Sequence, residues 1–281
     1  MGKKRRPQPA TQPDKHTLYE ASVQAVDIDL KLFVRIFEER NGHPLKKLRE
    51  DFCGTAQLAV EWARQGKDHE AWGIDMDKPT LDWAREHRMG PLGSDSTRVH
   101  LLHADVLEIE APKVDLACAL NFSYSVFKER RVMLEYFTRV YHQLAEDGIF
   151  ILDSWGGPTT MQTVVDKRDV ANSRDIHNNQ VPGFKYLWDQ SYFNFIDNHT
   201  ITHIHFRLKD GTKYKEAFTY DWRLWGLPEL RDILADAGFV ETECWFDGWD
   251  DEAEDTDGHY ERVEEYTEMD SWVGYIAAYK R

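Results

Sequence analysis

A chain of 281 residues, 41% of them hydrophobic, is long enough to bury a full core, and one elaborated domain accounts for its length. Its net charge of −15 disfavours a broad nucleic-acid surface, because phosphate contacts need clustered Lys and Arg. No apolar run approaches the ~20 residues of a membrane span, and the scattered Cys53, Cys118 and Cys244 point to a reducing cytoplasm rather than a disulfide framework.

Residues 1–16 read as a solvated basic leader, with Lys3, Lys4, Arg5, Arg6 and Lys15 set among prolines and glutamines. No apolar stretch follows Met1–Arg6, so this is not a secretory signal, and Arg6 stands where N-myristoylation wants Ser or Thr. Tyr19 precedes the first amphipathic helix. The segment Leu48–Ala56 then reads as a short buried strand and a tight turn at Cys53-Gly54-Thr55, with a helix from Gln57 to Gln65 behind it. The next strand ends in Gly73-Ile-Asp-Met-Asp77, and Asp75 lies 21 residues past Gly54, the separation of one βαβ step. In an open α/β sheet this order makes a nucleotide pocket. The turn lets a ligand approach the backbone, and the acid of the next strand takes ribose hydroxyls. Phe52 and Ala56 flank the turn where a pyrophosphate would need glycines, so NAD and FAD fit poorly and a nucleoside without phosphates fits better.

Two further strands are expected at Val99–Val106 and Val114–Asn121. A helix over about 129–145 carries Met133, Phe137, Val140 and Leu144 as an apolar stripe, and Asp147-Gly148 is expected to stop it before a buried strand, Ile149–Asp153. Pro228–Phe239 has proline near a helix start and glycine just past its end, and strands at Val240–Phe246 and Trp272–Tyr279 close the chain. Between them, the acid-rich stretch Asp247–Asp270 is expected as a solvated loop. Its match to a calcium loop, through Asp255, Asp257, Gly258 and Glu264, fails at Ala253, and no metal is expected.

With these segments in place, the chain resembles the class I S-adenosylmethionine-dependent methyltransferases. Their first loop, acid-x-G-x-G-x-G, is matched by Glu50 with Phe52, Gly54 and Ala56 in the glycine places. The resemblance implies a Rossmann-like, seven-stranded, doubly wound α/β sheet whose last strand is antiparallel. It implies S-adenosyl-L-methionine as cofactor, with Asp75 on the ribose, Met76, Asp105 and Val106 around the adenine, and Glu50, Gly54 and Ala56 under the amino-acid part. Cys53 and Thr55 belong to the same turn, and Tyr19 would close over the cofactor. Asn121, Phe122 and Tyr124 would lie beside the methyl group, with Tyr124 touching the substrate. The alternative for Glu50 is a structural carboxylate bonding local backbone, and Asp51 takes its role if the strand register shifts by one.

Residues 156–224 are an insertion between the two parts of the core, 17–155 and 225–281. Strands at Lys185–Asn194, Thr200–Leu208 and Lys213–Leu224, turning at Asp197-Asn198 and Asp210-Gly211, would form a small antiparallel lid over the pocket. This layout resembles the small-amine methyltransferases of the glycine and amino-sugar types. Trp155, Trp188, Trp222 and Trp225 lie in or beside the lid, with Tyr186, Tyr192 and Tyr220. Most are expected to fill core, and two or three to line the pocket for a sulfonium or ammonium. His199, His203 and His205 share strand parity; without a further ligand of that parity they do not make a zinc site, and His203 is a candidate base for a hydroxyl acceptor. The leading expectation is a small-molecule amine methyltransferase. The alternatives are a protein or RNA methyltransferase docking through the basic tail, and a module that binds the cofactor without turnover.

Overall fold

A computed structural model describes residues 12–281 apart from 176–177, 251–254 and 268. Two helices come first: α1 (Lys15–Val23), whose capping Asp14 carboxylate takes the amides of His16 and Thr17, and α2 (Val26–Asn41), which ends at left-handed Gly42. Strand and helix then alternate through β1 (Lys47–Asp51), α3 (Gln57–Gln65), β2 (Glu70–Asp75), α4 (Lys78–Ala84), β3 (Val99–His103), β4 (Val114–Ala119), α5 (Arg130–Gln143) and β5 (Leu144–Gly156). The insertion supplies β6 (Val164–Val170), a two-residue hairpin of β7 (Ser173–Arg174) and β8 (Gln180–Val181), and then β9 (Phe184–Asn194), β10 (His199–Leu208) and β11 (Lys213–Arg223). The chain closes with α6 (Leu227–Asp236), β12 (Glu241–Asp250), β13 (Asp255–Val263) and β14 (Trp272–Tyr279).

The main sheet has the order β13-β12-β14-β5-β4-β1-β2-β3. Its β5-β4-β1-β2-β3 part is parallel, and β14 runs antiparallel to both β5 and β12. Both faces are covered, which is why β4 and β5 read as near-continuous apolar runs, whereas β1 between β4 and β2 buries Arg49, Glu50 and Asp51 beside Leu48. One layer holds α2 and α3, with Phe33, Phe37, Leu58 and Trp62 against Leu48, Cys118 and Ile151; the other holds α5 and α6, with Phe137 and Leu230 against Ala117, Phe150 and Ile276. The lid is a second sheet of order β11-β10-β9-β6, and its inner face packs Ile204 and Phe206 on Leu18 of α1.

Four expectations need correction. The helix α5 stops at Gln143, and Asp147-Gly148 fall inside β5, which already pairs through Leu144 with Val114. The acid-rich segment is not simply a loop: β13 pairs antiparallel with β12 and makes an eighth strand at the edge. The lid has a fourth strand, β6, whose exposed Val164, Val165 and charged neighbours carry no inward apolar face. Tyr19 does precede the amphipathic α2, but it lies within an additional helix, α1, that was not expected. Residues 1–11 of the basic leader and Ala253 of the calcium motif lie outside the described residues.

Candidate functional site

The turn after β1 is built on three left-handed residues, Phe52, Gly54 and Ala56, at φ 60°, 52° and 56°. They alternate along the chain, and they are the positions aligned with the family's three glycines. Only Gly54 is free of the Cβ penalty there. Phe52 is held by ring contacts with Phe127 and Tyr136 at 5.9 and 5.7 Å, and Ala56, fully buried, caps α3. Beside Gly54 a Cβ would meet no atom within 4 Å, so its backbone faces open space.

That turn is locked to the second strand. Gly54 N–H donates to Asp75 Oδ2 and Asp77 N–H to Asp75 Oδ1, each at 2.8 Å. Burial pushes the Asp75 carboxyl up, while these amides draw it back. Each carboxylate oxygen keeps a lone pair for a further donor. Met76 beside it is 66% exposed. On the neighbouring strand end, Asp105 accepts the Leu107 amide at 2.8 Å, and Val106 is buried. Asp75, Met76, Asp105 and Val106 thus gather at the C-terminal ends of two paired strands, β2 and β3.

Glu50 and Asp51 point to opposite faces of β1, which decides between them. Asp51 pairs with the Arg49 guanidinium at 3.0 Å and accepts the Tyr136 hydroxyl at 2.9 Å, a structural arrangement. Glu50 is buried, and its Oε2 has no hydrogen-bond partner. Desolvation, then Asp29, Asp75 and Asp51, hold its carboxyl well above the usual range. Thr55 Oγ1 is likewise buried and unpartnered. Cys53 packs against Gly73, where a Cβ would lie 2.8 Å from its sulfur, and burial raises its thiol rather than the helix start lowering it.

The loop after β4 carries a second strained turn. Asn121 and Phe122 are consecutive left-handed residues at φ 54° and 58°. Their amides donate to the two oxygens of Asp153, at 2.7 and 2.9 Å. Tyr124, expected at the substrate, is instead 1% exposed and gives its hydroxyl to the Asp153 carbonyl at 2.8 Å. Burial, and after it the nearby Asp153 charge, push that phenol up. It is a packing residue.

Across from this loop lies an aromatic wall. Phe122 is 4.5 Å from Trp155, Trp155 is 5.6 Å from Trp222, and Trp222 stacks on Tyr220 at 4.2 Å. Tyr19 reaches the same region, 4.8 Å from Phe218. Trp225, by contrast, is buried core whose indole N–H bonds the Phe127 carbonyl. His203 stands apart: the lid's inward face is Thr200, Thr202, Ile204 and Phe206, so His203 projects from the other face and bonds Thr219. Among the described residues no group of three or more His, Cys, Asp or Glu is arranged to hold a metal, and no helix is long and apolar enough to cross a membrane.

Sequence reasoning missed two acids. Asp153 lies inside the buried run of β5, and Asp29 interrupts the apolar face of α2 yet is buried and accepts the Tyr275 hydroxyl at 2.5 Å. A lone acid inside an apolar run is the signal that could have found both. Burial raises Asp29 to about 6 and Asp153 to about 8. Among the described residues, none of Asp29, Glu50, Asp75 and Asp153 takes part in an ion pair. A phosphate would meet these acids unopposed. A cofactor with a neutral diol and net positive charge fits them, and it fits the orphaned Glu50 oxygen and the open backbone at Gly54.

Residues 52–148 match the family model of a methyltransferase domain. No curated protein matches the chain. Among solved structures, an amino pentose methyltransferase, CalS10 of Micromonospora echinaspora, superposes with TM-score 0.66 at 12% identity, covering 98% of this chain and 99% of the other. The sugar N-methyltransferase KedS8 of a Streptoalloteichus species gives 0.65 at 15%, covering 100% and 98%. A S-adenosylmethionine-dependent methyltransferase of Clostridium acetobutylicum gives 0.61 at 18%, covering 93% and 96%. At these identities the likeness is one of fold, and it extends over lid and core alike. The matched domain and the fold converge: residues 52–148 match a methyltransferase domain and sit in a class I methyltransferase fold, for which the cofactor is S-adenosylmethionine.

Proposed function

We propose that the protein methylates the nitrogen of a small-molecule amine. The observation that carries this reading is the juxtaposition, at the loop after β4, of an aromatic wall (Phe122, Trp155, Trp222, Tyr220) with the buried carboxylate of Asp153. Ring faces attract ammonium groups by about 0.5–2 kcal/mol each when desolvated. A carboxylate without a cationic partner adds to that preference. The sugar N-methyltransferase and amino pentose methyltransferase with the same fold support it.

In this reading Asp75 holds the ribose hydroxyls, Met76, Asp105 and Val106 border the adenine, and Glu50 with Gly54 and Ala56 shapes the floor for the amino-acid part. Asn121 and Phe122 stand beside the reacting centre. The bound cofactor supplies an electrophilic methyl group on a sulfonium. The protein's own work is alignment and exclusion of water, because an amine acceptor brings its own lone pair once neutral. Such chemistry does not require a His placed as an obligatory base.

The test is product analysis: S-adenosylmethionine with a panel of amino sugars and small amines, each beside its hydroxyl counterpart, scored by mass gain and S-adenosylhomocysteine formation. Turnover of amines and not of their hydroxyl counterparts is expected. Turnover confined to alcohols, or to protein or RNA, would replace this reading.

A further inference from the structure

We propose that Asp153 is a positioning residue for methyl transfer. By accepting the amides of Asn121 and Phe122 on its two carboxylate oxygens, it holds the left-handed turn that walls the reacting centre. This inference rests on the reading above that the loop after β4 borders that centre.

Two consecutive non-glycine residues in the left-handed region do not persist unaided, since each carries a Cβ penalty. Here the turn points two successive N–H groups at one place, a concavity that binds an anion. The anion is supplied by the strand next to β4. Asp153 sits on β5, 2.7 Å from the Asn121 amide and 2.9 Å from that of Phe122, and is 7% exposed. Its own carbonyl takes the Tyr124 hydroxyl, so the strand holds the loop at three points between residues 121 and 124. The consequence reaches the wall, because Phe122 packs on Trp155 and edge-on to Trp222. Losing the clamp would let Phe122 leave the left-handed region and carry its ring away from both.

The clamp needs the ionised carboxylate, since only then are both oxygens full acceptors. Among the described residues, the titratable groups facing Asp153 are Asp29 from α2, Tyr275 from β14, Tyr260 from β13, Tyr19 from α1 and Tyr124 from the loop itself. All four phenols are pushed up by burial and stay neutral, so Asp29 and Asp153 are the members of this group that change charge near neutral pH.

The experiment uses two cofactor analogues. Sinefungin carries an amine where the methyl-bearing sulfonium stands, and S-adenosylhomocysteine carries nothing there, so their affinity ratio reads the reacting centre. Calorimetry on the full chain should show Asp153→Asn weakening sinefungin about tenfold, the loss of roughly one charged hydrogen bond, with S-adenosylhomocysteine changed less than twofold. Adding Asn121→Gly, which removes a Cβ penalty from the turn, should restore part of the ratio, a rescue that loss of charge alone would not give. In the unaltered protein the ratio should favour sinefungin increasingly as pH rises toward 8. That titration serves also if the variant fails to fold. An unchanged ratio in Asp153→Asn, or a ratio flat with pH, overturns the assignment. Failure of the unaltered protein to bind either analogue would instead overturn the methyltransferase reading beneath it.

Discussion

Ala56 and Phe52 hold the same left-handed backbone at the two ends of one turn, and the sign of a glycine substitution should differ between them. At Ala56 the side chain is a single methyl group, and the left-handed conformation costs about 1–2 kcal/mol. Glycine gives back about 0.5–1 kcal/mol through the entropy of the unfolded chain. Ala56→Gly should therefore stabilise by up to about 1 kcal/mol, read as a higher denaturation midpoint at unchanged slope. Phe52→Gly relieves the same strain but removes a ring packed against Phe127 and Tyr136, a loss of about 3–5 kcal/mol. It should destabilise. Equal effects at the two sites would mean that the Phe52 ring adds nothing to the turn, and a destabilising Ala56→Gly would mean that the positive φ there carries no strain. The sequence alone marked both positions as glycine places. It could not say that the chain keeps the backbone there while abandoning the residue, because propensity does not reveal which side chain has a neighbour to hold it.

At the scale of elements, what was legible followed hydrophobic pattern and what was not lacked one. The segments α3 and β14 were read to the residue, because one is an apolar stripe bounded by Ala56 and Gly66 and the other a continuous buried run. The strands β6 and β13 are edge strands dense in charge, so no alternation marks them. The helix α1 was missed for a related reason: only Leu18 and Ser22 are buried along its nine residues. It is placed by polar contacts instead. The guanidinium of Arg88, in the turn continuing α4, pairs with Glu20, the two side chains being 5% and 8% exposed. Arg168 of the lid donates to the Ser22 carbonyl, and the Tyr214 hydroxyl to that of Pro13. The helix therefore joins lid to core and sets where Tyr19 stands. Arg88→Met leaves Glu20 as a buried unpaired carboxylate and should cost about 3–5 kcal/mol, whereas Arg88→Met with Glu20→Gln should recover most of it. A urea melt of the single and double variants, with limited proteolysis over residues 15–23, checks both statements. An Arg88→Met protein that melts with the parent would show that the remaining contacts, those of Leu18, Arg168 and Tyr214 among them, hold the helix without this pair.

Over the whole molecule, four acids without a cationic partner among the described residues, three of them buried and Asp75 half-buried, are raised together, Asp29 to about 6, Asp153 to about 8, and Glu50 and Asp75 upward. Desolvation is the leading cause in each. A carboxyl raised in the folded chain favours folding fully below its unfolded value near 4, and that contribution is lost as pH rises through the folded value. The ligand-free protein should thus become less stable from about pH 5 to pH 8.5. Self-repulsion from a net charge of −15 acts in the same direction, so the trend alone does not identify these acids. A ligand's charge does. S-adenosylmethionine is a net cation and S-adenosylhomocysteine is neutral, while the two share ribose, adenine and amino-acid contacts. The cation should lower the raised carboxyls and displace protons that the neutral product leaves in place. Calorimetry at pH 7 in buffers of different ionisation enthalpy should therefore show S-adenosylmethionine releasing more protons, by up to about one per site. Asp153→Asn should narrow the difference. Equal proton release by the two ligands would mean that the acids lie too far from the sulfonium to sense it, and the electrostatic preference for a cationic acceptor would lose its basis with them.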